Sequence, residues 1–222
     1  MQLRYLALTA ALTLSAGMLM ASCKTADPGK TTNGAYASPV PSDGTKTLKN
    51  LQTAFDDETN AEAKYVQYAL KADEEGYPKA GSLFRAAARS EQIHGADLAG
   101  VIRQMGGTPQ AESKAPVVRS TRENLEEAAK SEAREGNEMY AGFMLEARST
   151  GNLEAMRAFN FAKTSEGEHY KLYQKAAADL ESLKSGKDGF HLCPRCGYMM
   201  KDRKFDKCPV DSTPSDKFEL ID

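Results

Sequence analysis

Between Leu48 and Lys184 the chain is rich in Ala, Glu, Lys and Leu, and the few helix breakers in that stretch restrict its possible folds. Gly76 sits just ahead of Pro78, and Gly151 just ahead of Asn152, so only one or two residues are free for each turn. The stretch from Gly106 to Arg119 is long and polar. Short links make antiparallel neighbours, and a long one permits a crossover. The spacing therefore predicts four helices. The first runs from about Thr47 to Glu75, with Gly76 as a left-handed cap. The second starts at Pro78, the favoured first helical position, and ends at Gly106-Gly107. A third starts at Ser120, whose spacing to Glu123 fits a capping box, and fades by Thr150-Gly151. The last runs from Asn152 to about Lys184. Each would be about 45 Å long at 1.5 Å per residue.

Charge narrows the function classes. With 29 basic and 31 acidic residues, the net charge of −2 leaves no electrostatic footprint for nucleic acid. At 222 residues the chain can bury a core, and four Cys cannot make a disulfide framework. The N-terminus has the layout of a secretory signal: Arg4, an apolar run from Tyr5 to Met20, then Ala21-Ser22-Cys23. Its ending resembles the lipobox of bacterial lipoproteins, which makes residues 1–22 a signal peptide and Cys23 a lipid anchor. Met20 departs from that pattern, which more often has Leu. Ordinary cleavage and retention as a transmembrane anchor are the competing readings, about 17 apolar residues being the lower limit for a span. Residues 23–46 are rich in Gly, Pro, Ser and Thr and read as a flexible linker. It would span roughly 27 Å as a coil and hold the folded part off the bilayer.

Residues 47–186 carry the chemistry. Glu91-Gln-Ile-His94 on the second helix is repeated as Glu166-Gly-Glu-His169 on the fourth. A spacing of three stacks Glu and His on one helix face. Glu132 and Glu135 share that spacing on the third helix, and Glu58 on the first has Tyr65 two turns along the same face. A lone Glu-x-x-His is ordinary helix surface. Two copies on the right helices, with acidic partners on the others, are how ferritin-like bundles build a di-iron site. Two carboxylates about 5 Å apart repel by roughly 3 kcal/mol at an effective dielectric near 20, so five converging ones need cations. The expected fold is mainly α: a ferritin-like four-helix bundle followed by a small metal-binding domain. An up-and-down bundle with a loose middle loop is the alternative topology.

The segments Ala54-Phe55-x-x-Glu58, Glu91-x-x-His94, Asn124-Leu125 leading to Glu132-x-x-Glu135 and Met139-Tyr140, and Glu166-x-x-His169-x-x-x-Tyr173 resemble the rubrerythrin family, over about Leu48 to Asp222. The resemblance implies that Glu58, Glu91, His94, Glu132, Glu135, Glu166 and His169 hold two irons. It also implies that one iron exchanges Glu135 for His94 between oxidised and reduced states, and that Tyr65 and Tyr140 support the ligands. Asp97, three residues after His94, is either that histidine's orienting partner or a surface charge. Leu51, Phe55, Leu70, Leu83, Phe84, Leu98, Ile102, Phe143, Leu153, Phe159, Leu172 and Leu180 are assigned to packing.

Residues 187–222 resemble that family's C-terminal rubredoxin-like module, with one departure. Cys193-Pro-Arg-Cys196-Gly197-Tyr198 is followed by Cys208-Pro209-Val210-Asp211, so Asp211 stands where a fourth thiolate would complete the site. Three readings compete: Asp211 completes an iron or zinc site with Cys193, Cys196 and Cys208; His191 or water does so; or the thiols are free or oxidised. A hard carboxylate would favour ferric iron and lower the potential. A metal would also supply folding energy to so small a domain, with Phe190, Tyr198, Phe205 and Phe218 as its core.

These readings together imply a lipid-anchored, envelope-located di-iron peroxidase, a homodimer that reduces hydrogen peroxide to water with electrons from a separate donor. Glu135 and Tyr140 are the candidates for proton delivery. The alternatives are a ferroxidase using the same site, and a non-enzymatic lipoprotein that binds metal and senses redox state.

Overall fold

A computed structural model describes residues 44–186, 188–202 and 205–222. The expected signal peptide, the expected lipid anchor Cys23 and nearly all of the expected linker lie outside the described residues. The bundle consists of α1 (Thr45–Glu74), α2 (Pro78–Gln104), α3 (Thr121–Arg134) running through a π-helical turn at Glu135–Met139 into α4 (Tyr140–Ser149), and α5 (Leu153–Ala178). A 3₁₀ turn at Leu180–Leu183 leads to a small sheet of β1 (Phe190–Leu192), β2 (Met199–Met200) and β3 (Glu219–Ile221), antiparallel in the order β2-β1-β3. Among the described residues no helix is long and apolar enough to cross a membrane.

Local chemistry accounts for most helix ends. Gly76 closes α1 at φ 80°, where a side chain would be strained. Pro78 opens α2, and Ser120 and Glu123 form the full reciprocal capping box at the start of α3. Asn152 caps α5 by accepting from the Ala155 amide. Two differences from the expected helices have physical causes. The third helix is interrupted at Glu135, where one turn widens to π geometry beside the buried acidic residues. The last helix stops at Ala178 rather than Lys184, because Asp179 leaves helical geometry (φ −133°, ψ 67°) and its carboxylate accepts from the Ser182 amide.

The crossover between the hairpins is fastened to α1 rather than loose. Asn60 donates to the Glu112 carbonyl (3.0 Å) and accepts from the Lys114 amide (2.9 Å). Asp56 accepts from the Glu112 amide (2.6 Å) and pairs with Lys114 Nζ (2.7 Å), and Gln52 donates to the Gln110 carbonyl. Polar side chains on one helix thus satisfy an extended backbone that has no strand partner.

Two apolar layers fill the bundle. One contains Tyr65, Tyr68, Phe84 and Tyr173, whose rings pack 5.3 to 6.2 Å apart; the other contains Leu51, Leu98, Ile102, Tyr140 and Phe159. Along each helix the expected ligand positions fall between these layers, so a buried polar pocket is enclosed above and below by apolar packing. Leu70 and Leu153, expected to pack, are 60% and 73% exposed on the outer faces of their helices. Phe205, expected in the tail's core, is 50% exposed, and the apolar support there comes from Leu192, Met199 and Phe190 together with Phe161 of the bundle.

Replacing both Asp56 and Asn60 with Ala should expose the Gly106–Arg119 segment to protease several-fold faster while leaving the helix content intact. Limited proteolysis followed by circular dichroism checks this, because the clamp fastens only the loop.

Candidate metal centre

The pocket between the two layers collects acidic groups from all four helical segments. Two overlapping sets of donor atoms each lie within 4.8 Å of one another: Glu58, Glu91, His94 and Glu166, and Glu91, Glu132, Glu166 and His169. Glu91 and Glu166 belong to both sets, which places them to bridge two centres, with one histidine and one further glutamate on each side. The i, i+3 spacing achieves this because α2 and α5 each turn a Glu and a His to the same inner face. All six residues are fully or almost fully buried.

Buried charge of this density must be matched. Burial raises the Glu58 carboxyl, and the neighbouring Glu91 charge adds to this, to about 7. For His94, burial alone acts downward, but the Glu58 and Glu91 carboxylates prevail and carry the imidazole to about 10. His169 is likewise lowered by burial and raised more strongly by Glu91 and Glu132, to about 10. The pocket stabilises positive charge. Its donor atoms also lack hydrogen-bond partners: Glu58 Oε2, Glu91 Oε1, Glu132 Oε2, both Glu166 oxygens and both His169 nitrogens have none. Buried polar atoms are otherwise nearly always satisfied. Seven buried oxygen and nitrogen atoms without a hydrogen-bond partner among the described residues, gathered with His94 in one pocket, fit a pair of metal ions such as iron.

Tyrosines fix two of the carboxylates. The Tyr65 hydroxyl donates to Glu132 and the Tyr140 hydroxyl to Glu58, so both expected supporting tyrosines touch the pocket's outer glutamates. Glu135 differs from the expected seven-residue set, since it lies outside both groups. Its Oε1 accepts from Ser131 Oγ (2.7 Å) and lies 3.2 Å from Arg134 Nη2. Burial raises its carboxyl to about 8, with the charges of Glu132 and Glu58 adding to the effect. Asp97 is not the partner of His94; it forms a two-pronged pair with Arg157 (2.9 and 3.2 Å).

The other ring nitrogen of His94 faces the C-terminal domain instead. Nε2 lies 3.2 Å from the Cys196 carbonyl, and Ser90 Oγ donates to the Gly197 carbonyl at 2.7 Å. The strand region is also held by Arg89 paired with Glu219 (2.8 and 2.9 Å) and by Arg85 donating to the Asp222 carbonyl (2.9 Å). A Cβ on Gly197 would lie 2.5 Å from His94 Nε2, and the residue has φ 76°, so glycine is required both by the turn and by the contact. Nothing local in the sequence signals this docking; only the turn requirement of Gly197 is visible in the Cys-Gly-Tyr motif.

Within the tail, Cys193, Cys196, Cys208 and Asp211 bring their donor atoms within 4.8 Å of one another. Two chain knuckles related by an approximate repeat do this. The Cys193 amide donates to Tyr198 O (2.9 Å) and the Gly197 amide to Cys193 O (3.0 Å); in the second knuckle the Cys208 amide donates to Thr213 O (2.7 Å) and the Ser212 amide to Cys208 O (3.0 Å). Ser212, at φ 65°, adopts the left-handed turn that Gly197 adopts in the first. Asp211 therefore occupies the station of Cys196. The Thr213 amide donates to its Oδ1 (2.8 Å), as the Tyr198 amide acts on the Cys196 sulfur. The Asp211 side chain is only 3% exposed. His191, the alternative donor, sits in β1 opposite Met200 and Leu220 and outside the group. Hydrogen bonding from Cys196 holds the Cys193 thiol down at about 6, against the effect of burial. Three sulfurs and a carboxylate oxygen fit tetrahedral iron or zinc.

Comparison with known proteins agrees with this geometry. The rubrerythrin family model matches residues 49–177. Nigerythrin of Nitratidesulfovibrio vulgaris is 39% identical over 173 residues, covering 78% of this chain and 85% of that protein. The structure of fully reduced, all-ferrous nigerythrin superposes with a TM-score of 0.73 at 34% identity, covering 89% of this chain and all of that one. A bacterioferritin of Desulfovibrio desulfuricans shares the fold at 22% identity and a TM-score of 0.58, covering 63% of this chain and 82% of its own.

If Asp211 is a ligand, Asp211→Cys should shift the absorption of the iron-loaded tail to that of a four-thiolate ferric site, and Asp211→Ala should weaken metal retention at least tenfold against a chelator. Unchanged spectra and unchanged retention would remove Asp211 from the site.

Proposed function

Since the chain belongs to the rubrerythrin family, we propose that it is a non-haem di-iron peroxidase that reduces hydrogen peroxide to water. The observation that carries this reading is the pair of buried donor sets joined through Glu91 and Glu166. Glu58, Glu91, His94 and Glu166 would hold one iron, and Glu91, Glu132, Glu166 and His169 the other; the tail's Cys193, Cys196, Cys208 and Asp211 would hold an iron or zinc. Iron bound by these residues in the ferrous state would supply the two electrons that reduction of peroxide to water requires, one from each ion.

The chain's own residues supply the rest. The apolar layers keep bulk water from the pocket, which strengthens every electrostatic interaction inside it. Tyr140 and Tyr65 fix the orientation of Glu58 and Glu132 and keep a proton beside each carboxylate. Reduction of peroxide consumes two protons along with two electrons, and Glu135, raised to about 8, carries one near neutral pH at the edge of the pocket. Electrons from an external donor would enter through the tail, where the Cys196 carbonyl meets His94 Nε2. A zinc-loaded tail could not serve as that relay, so the metal in the tail decides whether the route operates.

Location and assembly rest on the sequence. The Ala21-Ser22-Cys23 ending of the apolar leader supports export and acylation of Cys23, placing the folded part at the bacterial envelope, and the family supports a homodimer. Metabolic labelling with a fatty acid should mark the wild-type chain and not Cys23→Ala; equal labelling would defeat the anchor.

The activity is tested on anaerobically reduced protein by stopped flow. Hydrogen peroxide should oxidise the centre rapidly and be consumed catalytically with an added reductant, faster than the protein oxidises added ferrous iron. A reduced centre that peroxide oxidises slowly, or faster turnover of ferrous iron, would replace this reading with ferroxidase activity.

A further inference from the structure

Of the buried acidic residues of the bundle, Glu135 alone belongs to neither donor set, and it is 7% exposed. Glu132, one turn earlier on the same face, belongs to one of them. A carboxylate that is neither solvated nor gathered with the others needs partners of its own. It has two, both from the turn before it: Ser131 Oγ at 2.7 Å and Arg134 Nη2 at 3.2 Å, on the same oxygen. On the pocket side the charges of Glu132 and Glu58 disfavour its ionised form. Glu135 also begins the π-helical turn, so its backbone is set at the point where the helix widens. The three residues share the wall of a surface cleft of about 360 Å³ with Asp57, Lys64 and Arg119.

We propose that Ser131 and Arg134 are positioning residues that hold Glu135 outside the metal pocket and thereby set how the donor place beside Glu58 is shared between His94 and Glu135. This rests on the reading that the two donor sets hold iron. His94 fills that place in the arrangement described, with Nδ1 3.6 Å from Glu58 Oε2, and Glu135 lies close enough to Glu58 for the two carboxylates to act on each other. A serine four residues before a glutamate on an exposed helix face would be an incidental contact. Here the acceptor is buried, and the same oxygen takes both interactions, so removing either changes the free energy of leaving the pocket. Arg134 is itself 54% exposed and reaches Asp57 at 3.9 Å, which ties the latch to α1.

The test uses the full-length, metal-loaded protein. Metal analysis of the wild type comes first; fewer than two irons in the bundle would overturn the iron reading, and this proposal with it. The reduction potential of the di-iron centre is then titrated for the wild type, Ser131→Ala and Ser131→Thr, and the ferrous form of each is crystallised. Loss of this buried hydrogen bond should raise the share of Glu135 in the pocket about tenfold. Because a carboxylate favours ferric iron over the imidazole it replaces, the potential should fall by about 59 mV for a one-electron step. Ser131→Thr keeps the hydroxyl and should match the wild type. Arg134→Gln, at an exposed position that does not threaten folding, should shift the potential in the same direction. An unchanged potential with unchanged His94 and Glu135 positions in Ser131→Ala or Arg134→Gln overturns the proposal, as does an equal shift in Ser131→Thr.

Discussion

Six ionisable side chains converge where water is excluded, and no arrangement of helices alone could make that stable. An uncompensated buried carboxylate costs several kcal/mol, and the pocket holds four beside two imidazoles. Much of the remaining architecture follows from containing that cost. Helices α1, α2, α3 and α5 each supply at least one inward acidic group at matching depth, the apolar layers above and below keep the group dry, and Tyr65 and Tyr140 satisfy the outer oxygens. The lone pairs left over point at one another and ask for cations. Folding and metal binding are accordingly linked: the bundle reaches its full stability only with the charge it was shaped to receive.

How much of this was legible in the sequence depended on whether the signal was local. Gly76, Pro78 and Ser120 mark helix ends because their effects act within one turn, and the structure places helix ends beside all three. The repeated Glu-x-x-His gave the site because a helix converts sequence spacing into a common face without help from elsewhere. Where tertiary packing decides, the sequence misleads. The break at Glu135 is accompanied only by Gly136, and a single glycine inside a helical stretch does not announce a π turn; Leu70 and Leu153 follow an apolar period yet face outward, and Asp97 has the spacing of a histidine partner but finds Arg157 on another helix. The docking of the tail on His94 joins residues about a hundred positions apart, and no short-range pattern encodes it.

The tail shows a different kind of legibility. In sequence, Asp211 leaves three readings open: a ligand in place of the thiolate, a bystander to another donor, or the mark of a degraded site. In structure the second knuckle keeps the whole backbone device of the first, including a left-handed residue that costs more as Ser212 than it does as Gly197 and an amide aimed at the donor atom. A degraded site would have no reason to retain a strained turn. The persistence of that turn around a buried carboxylate argues for a ligand changed in kind rather than removed.

The hydrogen-bond contact between Cys196 and His94 joins two equilibria that would otherwise be independent. The histidine touches a carboxylate with one nitrogen and the tail's carbonyl with the other. Whatever draws His94 further into the pocket must change how firmly the tail rests on the bundle, and whatever loosens the tail must change the free energy of His94 by the same amount. A partner gripping the tail would therefore act on the position of His94, and the position of His94 would act on the partner. Through one imidazole ring, the buried pocket and the seating of the tail share one free energy.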